Sequence, residues 1–462
     1  MDTIIIFLNW AALTVTLLFF IVLCISSFIE KEYRAGFIAL IACILNTLFW
    51  IYFLLASSSF QIINIIVVLL LCLFTLISMV KFFPQKNILE RDISKAGQYD
   101  ERDTMFARNN IKYHPELMEQ YYLMHPENRS RDRQIHQKPE FGDREQIFHD
   151  PHTVPCFKAA FKYLQDSIPL SDGKTAEPKI NIDPVQFSQT IGELGKFYGA
   201  CDIGFLKLAP HHFYSHRGRH KKNWGEKTDQ TYQTAIAIVV PMRINMVKKG
   251  PTSCMLQESA QKYVEAAKIS NIIAGYIRQF GYRARAHNDG NYDVLCVPIA
   301  VESGLGELGR MGIFMHKIHG PCVRIAVVTT DIVLPDSLPK KPFYDCSSGS
   351  MEEFCKICKK CADNCPSNSI THDDEPLSRN FRHWSIQQEQ CYSYWKTIGS
   401  DCGICIAVCP YTKPDTLIHR FVRFYISRNP LNQKIALFMD DLLYGRYKKI
   451  ADTNPEKILP SR

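Results

Sequence analysis

Cys355-Lys356-Ile357-Cys358-Lys359-Lys360-Cys361-Ala362-Asp363-Asn364-Cys365-Pro366 is answered downstream by Cys402-Gly403-Ile404-Cys405-Ile406-Ala407-Val408-Cys409-Pro410. The first run has the spacing in which three thiolates hold one [4Fe–4S] cube and the fourth crosses to a second. Cys355, Cys358 and Cys361 then share a cluster with Cys409. Cys365, Cys402 and Cys405 need one more ligand, and Cys391 is the nearest unassigned thiol. Zinc and disulfides are the competing assignments. Zinc sites rarely need eight interleaved ligands, and a Cys-Pro at both fourth positions suits the cubanes. This segment passes electrons one at a time.

The chain has 462 residues, 17 of them Cys, and a formal charge of +8. Beyond the eight ligands, Cys24, Cys43, Cys72, Cys156, Cys201, Cys254, Cys296, Cys322 and Cys346 show no paired spacing. Scattered thiols of this kind point to a reducing compartment and not to a disulfide framework. The positive charge is modest and spread along the chain, so it gives little support to nucleic-acid binding.

Thr3 to Ile29 and Ala35 to Val80 carry no charged residue, and the second stretch breaks at Ser57-Ser58-Ser59. Three helices are expected, near 4–29, 36–56 and 60–80. Each has about 20 residues or more, which at ~1.5 Å per residue crosses a ~30 Å hydrocarbon core. Three successive spans without a basic leader argue against a cleaved signal peptide, and no twin-arginine motif is present. Lys31 and Arg34 follow the first span; Lys81, Lys86 and Arg91 follow the third. By the positive-inside rule, the chain after residue 81 faces the cytoplasm from a multi-pass position in the inner membrane. The spans contain no His and no acid, so they read as an anchor in the lipid bilayer, with Asn46, Gln61 and Asn64 able to join helices.

Residues 84–150 are polar, with Pro115, Pro126 and Pro139, and in isolation resemble a linker. From about 155, strand and helix periods alternate as in an α/β domain. Thr234–Val240 is a β-branched run stopped by Pro241. Glu258–Phe280 is apolar at helical spacing (Ala260, Val264, Ala267, Ile272, Ile273, Ile277), with Gly281 as its stop. Cys322–Thr330 is a second strand, with Arg324 near its start. Gly304-Leu305-Gly306-Glu307-Leu308-Gly309-Arg310-Met311-Gly312 lets backbone approach a ligand, or makes a structural loop; it lacks the dinucleotide spacing. Tyr214-Ser215-His216-Arg217-Gly218-Arg219-His220 is dense in donors, and a solvated basic loop is the plainer reading.

Together these runs resemble a corrinoid-dependent reductive dehalogenase. Asp100–Arg108 (DERDTMFAR), Tyr214–Arg219, Ile277–Tyr282, Gly304–Gly312 and the two cysteine runs follow in that family's order, over roughly 98–445. The resemblance implies a nitroreductase-like α/β core (84–345) that binds a base-off cobamide. It also implies a ferredoxin-like segment with two [4Fe-4S] clusters (346–420), behind the transmembrane anchor (1–83). A C-terminal tail (421–462) is expected to pack on the core. By the same resemblance, Tyr263 is the proton donor, Arg324 (in Gly320-Pro321-Cys322-Val323-Arg324) is its cationic partner, and Asn288 lies between them. Tyr214, His216, Arg217, Gly304, Leu305, Gly306, Glu307, Gly309 and Arg310 are the implied cobamide contacts. No histidine is assigned to cobalt.

The implied activity is reductive removal of halide from an organohalide. A quinol pool, ferredoxin or flavodoxin would donate the electrons. Respiratory members of the family typically carry a twin-arginine signal; three spans stand here instead. Two alternatives remain: a cobamide enzyme resembling epoxyqueuosine reductase, which would want a pocket Asp and a basic tRNA-binding surface, and a membrane-tethered electron carrier or corrinoid-processing protein.

Overall fold

A computed structural model describes residues 2–55, 58–80, 97–337, 350–374, 377–378 and 381–448. The chain divides into two compact units, Met1–Gln85 with Thr416–Arg446, and Lys86–Asp415 with Tyr447–Arg462. The boundaries expected at 83/84 and 345/346 lie outside the described residues, as do Lys81, Lys86, Arg91, Cys346 and the tail beyond 448.

In the first unit, helices Asp2–Ile29, Tyr33–Leu55 and Ser58–Ser78 are long and apolar enough to cross a membrane. Their polar side chains turn inward and pair. Asn64 Nδ2 donates to Asn9 Oδ1 at 2.8 Å, and Thr16 Oγ1 accepts from Asn46 Nδ2 and Trp50 Nε1, each at 3.1 Å. Such pairing is what a solvent without hydrogen bonds demands. Helices Leu417–Ile426 and Pro430–Tyr444 belong to this unit as well. Asn429 and Asn432 both donate to the Ser78 carbonyl, at 2.8 and 2.9 Å. His419 Nε2 lies 2.9 Å from Glu30 Oε2. Up to residue 446 the expected tail groups with the three long helices, and its polar side chains find partners at the ends of those helices.

The second unit is built on a four-stranded sheet. Its strands are β1 (Asp202–Lys207), β2 (Thr234–Pro241), β3 (Ala284–His287) and, after the short hairpin β4 (Gly306–Leu308) and β5 (Phe314–His316), β6 (Val323–Thr330). The order is β1-β2-β6-β3 and every pairing is antiparallel. Both faces are covered, which explains the unbroken apolar run of β2. Ile236, Ile238, Val240, Ala326 and Val328 pack with Ile269, Ile273 and Ile277 of the long helix Ser253–Gln279. Ala235, Ala237, Val239 and Val327 pack on the other face with Ile299 of helix Cys296–Glu302 and Phe314. A strand alternates its faces, so Arg324 shares the face of Ala326 and Val328 and looks at the long helix. Gly281, at φ +84°, ends the turn after that helix as its position requires.

The polar stretch after residue 97 is no linker. Arg108 is buried, with Nε and Nη2 on the Asp132 carboxylate (3.1 and 2.5 Å) and Nη1 on Glu389 (2.6 Å). Glu389 opens helix Gln388–Ile398, which carries Cys391. The charges that mimic a linker are internal clamps.

Candidate active site

Tyr263 projects from the long helix and Arg324 from β6, with the guanidinium carbon 5.0 Å from the centre of the phenol ring. Arg324 Nη2 donates to Ser259 Oγ at 2.6 Å, one helical turn before Tyr263, and lies 3.4 Å from Asp401 Oδ2. Asp401 immediately precedes Cys402, so this one cation ties the phenol's helix to the cysteine segment. Burial pushes the Tyr263 hydroxyl up to about 12, while Arg324 pulls it down. Burial also raises Asp289 and Asp401, each opposed by Arg324.

Tyr263, Asp289, Tyr292, Cys296 and Arg324 are all desolvated, yet each keeps some accessible surface. Residual surface on side chains this deeply desolvated implies a hollow among them. Arg324 Nε is buried there without a hydrogen-bond partner, as is Arg219 Nε. Orphaned cationic donors beside phenols and acids suit a large ligand with polar edges.

Asn288 is buried at the turn after β3. Its amide nitrogen donates to Ser270 Oγ (3.4 Å) and Asn271 Oδ1 (3.2 Å), fastening the turn after β3 to the long helix. Its neighbour Asp289 interacts with Tyr263, Arg324 and Arg219. In the run at 214–220, Arg217 grips Asp293 with Nε and Nη2 at 2.7 and 2.9 Å, and His216 Nδ1 lies 3.4 Å from Asp100. Tyr214 is half-buried, its amide donating to the Asp293 carbonyl. Arg219, two residues beyond Arg217, is the arginine within electrostatic reach of the hollow.

The glycine run forms the β4–β5 hairpin and meets the cysteine segment. Glu307 Oε2 accepts from the Glu352 amide at 2.9 Å, where helix Ser350–Cys358 begins. Fully buried Arg310 donates to the carbonyls of Cys355 (3.0 Å), Thr371 (3.0 Å) and Asp373 (2.6 Å) and stacks on Trp384. Gly306 has no room for a side chain: a Cβ would lie 2.0 Å from the Met315 carbonyl oxygen. Gly309 sits on Met315 in the same way, Gly304 (φ +77°) turns the chain, and Leu305 is core. The hairpin seats the cysteine segment.

Cys355, Cys358, Cys361 and Cys409 line one cavity with Arg310, Phe354 and Tyr411. Cys409 is within electrostatic reach of Cys355, Cys358 and Cys361, and Cys391 of Cys365, Cys402 and Cys405. Cys361 and Cys405 link the two groups. Two convergent sets of four thiols could hold two cubanes.

A cleft of about 460 Å³ opens between Tyr113, Phe161, Leu164 and Trp224 and reaches Arg219, Asp289 and Gly290. Arg219 and Asp289 thus face both cleft and hollow. His211, His212 and Glu302 also converge. The Ala209 amide donates to His212 Nδ1 at 2.9 Å, which leaves the proton on Nε2, 3.1 Å from Glu302. That tautomer turns an N–H, not a lone pair, toward the carboxylate. Asp289, Arg219, Tyr292 and Asp401 were missed by sequence reasoning, although Arg219 stands within a quoted run and the two acids adjoin Asn288 and Cys402.

The 4Fe-4S dicluster domain family matches residues 354–413. The tetrachloroethene reductive dehalogenase of Desulfitobacterium hafniense is 32% identical over 230 residues, 47% of this chain and 40% of that protein. Its counterpart from Sulfurospirillum multivorans is 32% identical over 236 residues, 49% and 45% respectively. These homologues are oxidoreductases by name. A solved B12-dependent reductive dehalogenase superposes with a TM-score of 0.61 at 21% identity, covering 76% of this chain and 47% of that one. That likeness establishes the α/β fold. The chain spans less than half the length of each of these three relatives.

Proposed function

We propose that the chain is a membrane-anchored reductive dehalogenase that replaces halide by hydrogen on a small organohalide. The Tyr263–Arg324 pair at the wall of the hollow, one residue removed from a cysteine group, carries this reading. The overall change is R–X plus two electrons and one proton to R–H and halide. A cobamide held base-off in the hollow would supply the electron pair to the carbon–halogen bond. Two [4Fe–4S] clusters would feed it singly, one on Cys355, Cys358, Cys361 and Cys409, the other on Cys365, Cys391, Cys402 and Cys405.

Tyr263 supplies the proton to carbon from its hydroxyl, which a phenol keeps at neutral pH and which burial holds more firmly still. Arg324 stabilises the phenolate left behind, and Ser259 and Asp401 hold that guanidinium in place. Asn288 acts at one remove by fixing the turn that presents Asp289. Arg217 and Tyr214 hold the wall, and Arg219 offers positive charge to a polar cofactor edge or to departing halide. The catalytic part faces the cytoplasm, with a quinol, ferredoxin or flavodoxin as donor.

Replacing Tyr263 by Phe is expected to cut halide release by about 10²-fold or more with iron and cobalt content unchanged. Full turnover in that variant would remove the tyrosine from the mechanism. One observation favours the second reading: Asp289 supplies the pocket acid that an epoxide-reducing cobamide enzyme would use. Asp289→Asn separates the two, since it would abolish epoxide reduction while leaving Tyr263-dependent dehalogenation measurable.

A further inference from the structure

The helix pair after residue 416 is inside out. In water a surface helix turns its apolar stripe inward and its polar face outward. Here Leu417, Phe421, Leu431 and Phe438 are 82, 54, 50 and 66% exposed, while His419, Arg423, Asn432 and Gln433 are 7, 5, 0 and 2% exposed. The three long helices of the same unit show the same inversion, with Asn64 at 3% and Leu45 at 60%. A common apolar solvent accounts for both.

Position points the same way. Asn429 and Asn432 dock on the Ser78 carbonyl at the end of the third long helix, and His419 meets Glu30 at the end of the first. Antiparallel succession puts those two ends on one side of the bundle, at the rim of the bilayer. Pro430–Tyr444 has 15 residues and Leu417–Ile426 has 10. At ~1.5 Å per residue neither reaches across a ~30 Å core, so they lie along the membrane and not through it. Exposed Lys434 stands among the outward apolar side chains, as on helices that bury an apolar face under phosphate headgroups. An apolar notch of about 280 Å³ beside Phe74, Ile77 and Leu431 has room for an acyl chain.

We propose that Leu417–Ile426 and Pro430–Tyr444 form an in-plane membrane element, seated in the headgroup boundary of one leaflet. Leu417, Phe421, Leu431 and Phe438 lie among acyl chains, and Lys434 at lipid phosphates. The proposal rests on membrane crossing by the three long helices and is independent of the chemistry at Tyr263.

The test is photocrosslinking of the full chain in its native membrane, with p-benzoylphenylalanine placed at Phe421 or Phe438 and adducts identified by mass spectrometry. Leu45 serves as the span control and Phe197, 81% exposed in the other unit, as the aqueous control. Phospholipid adducts at 421 and 438 comparable to those at 45, and none at 197, are expected. Lipid adducts at 45 with none at 421 or 438 would overturn the proposal. A protein–protein crosslink at 421 or 438 in place of lipid would overturn it too, with a second copy or another protein as the cover. No lipid at 45 either would overturn it by removing the anchor on which it rests.

Discussion

Arg324 does three things at once because of where it sits on its strand. Period two aims it at the long helix, the Ser259 hydroxyl fixes its plane, and Asp401 joins it to the cysteine segment. Tyr263 and Arg324 could be found in the sequence because a resemblance marks both. Asp289, Arg219 and Asp401 could not, since their roles arise from burial in a shared hollow and burial has no motif. Glu101 is another buried acid, accepting from the Gly218 and Arg219 amides at 2.7 and 3.3 Å. Burial raises its carboxyl from 4.5 to about 7, against the pull of those amides and of Arg219. The folded chain keeps this proton up to about pH 7, whereas the unfolded chain releases it near 4.5. Its contribution to stability is therefore complete below the unfolded value and falls by ~1.4 kcal/mol per pH unit through that window. Melting of Glu101→Gln is expected to lack this decline between pH 5 and 7; an unchanged pH profile would contradict it.

At the scale of elements, the period signals held where packing is simple. Thr234–Pro241, Val323–Thr330 and the long helix with its Gly281 stop stand within a few residues of their expected places. The helix begins earlier than its apolar pattern, at Ser253, because its first turns lie where Met255 and Leu256 are buried. The short strands β1 and β3 went unread, as β1 holds Gly204 and β3 has only four residues. The glycine run was read two ways, as a ligand approach or a structural loop, because close approach demands Gly whether the neighbour is a cofactor or, as at Gly306, a backbone carbonyl. Helix Gln388–Ile398 is the element with the most specific consequence, since it presents Cys391 to Cys365, Cys402 and Cys405. Cys391→Ser is expected to lose up to about half of the iron while the other cluster keeps its EPR signal. Cys254→Ser, outside both groups, is expected to lose none. Full iron content in Cys391→Ser would reassign the eighth ligand.

Over the whole molecule, the sequence revealed the three long apolar helices, the α/β core and the cysteine segment, because each rests on composition or spacing over many residues. It did not reveal the company kept by residues 416–446. Their apolar side chains invite a core reading, and only the burial of Asn429, Asn432 and His419 reverses it. The three units of function proposed here, membrane seat, electron segment and proton-donating hollow, make one composite claim about cofactors. Metal analysis with EPR on the detergent-solubilised full chain tests it most directly. The account predicts about eight iron and about one cobalt per chain, with a base-off Co(II) signal that Tyr263→Phe leaves in place. Eight iron without cobalt, even after reconstitution with cobalamin, would contradict it and leave a membrane-tethered electron carrier.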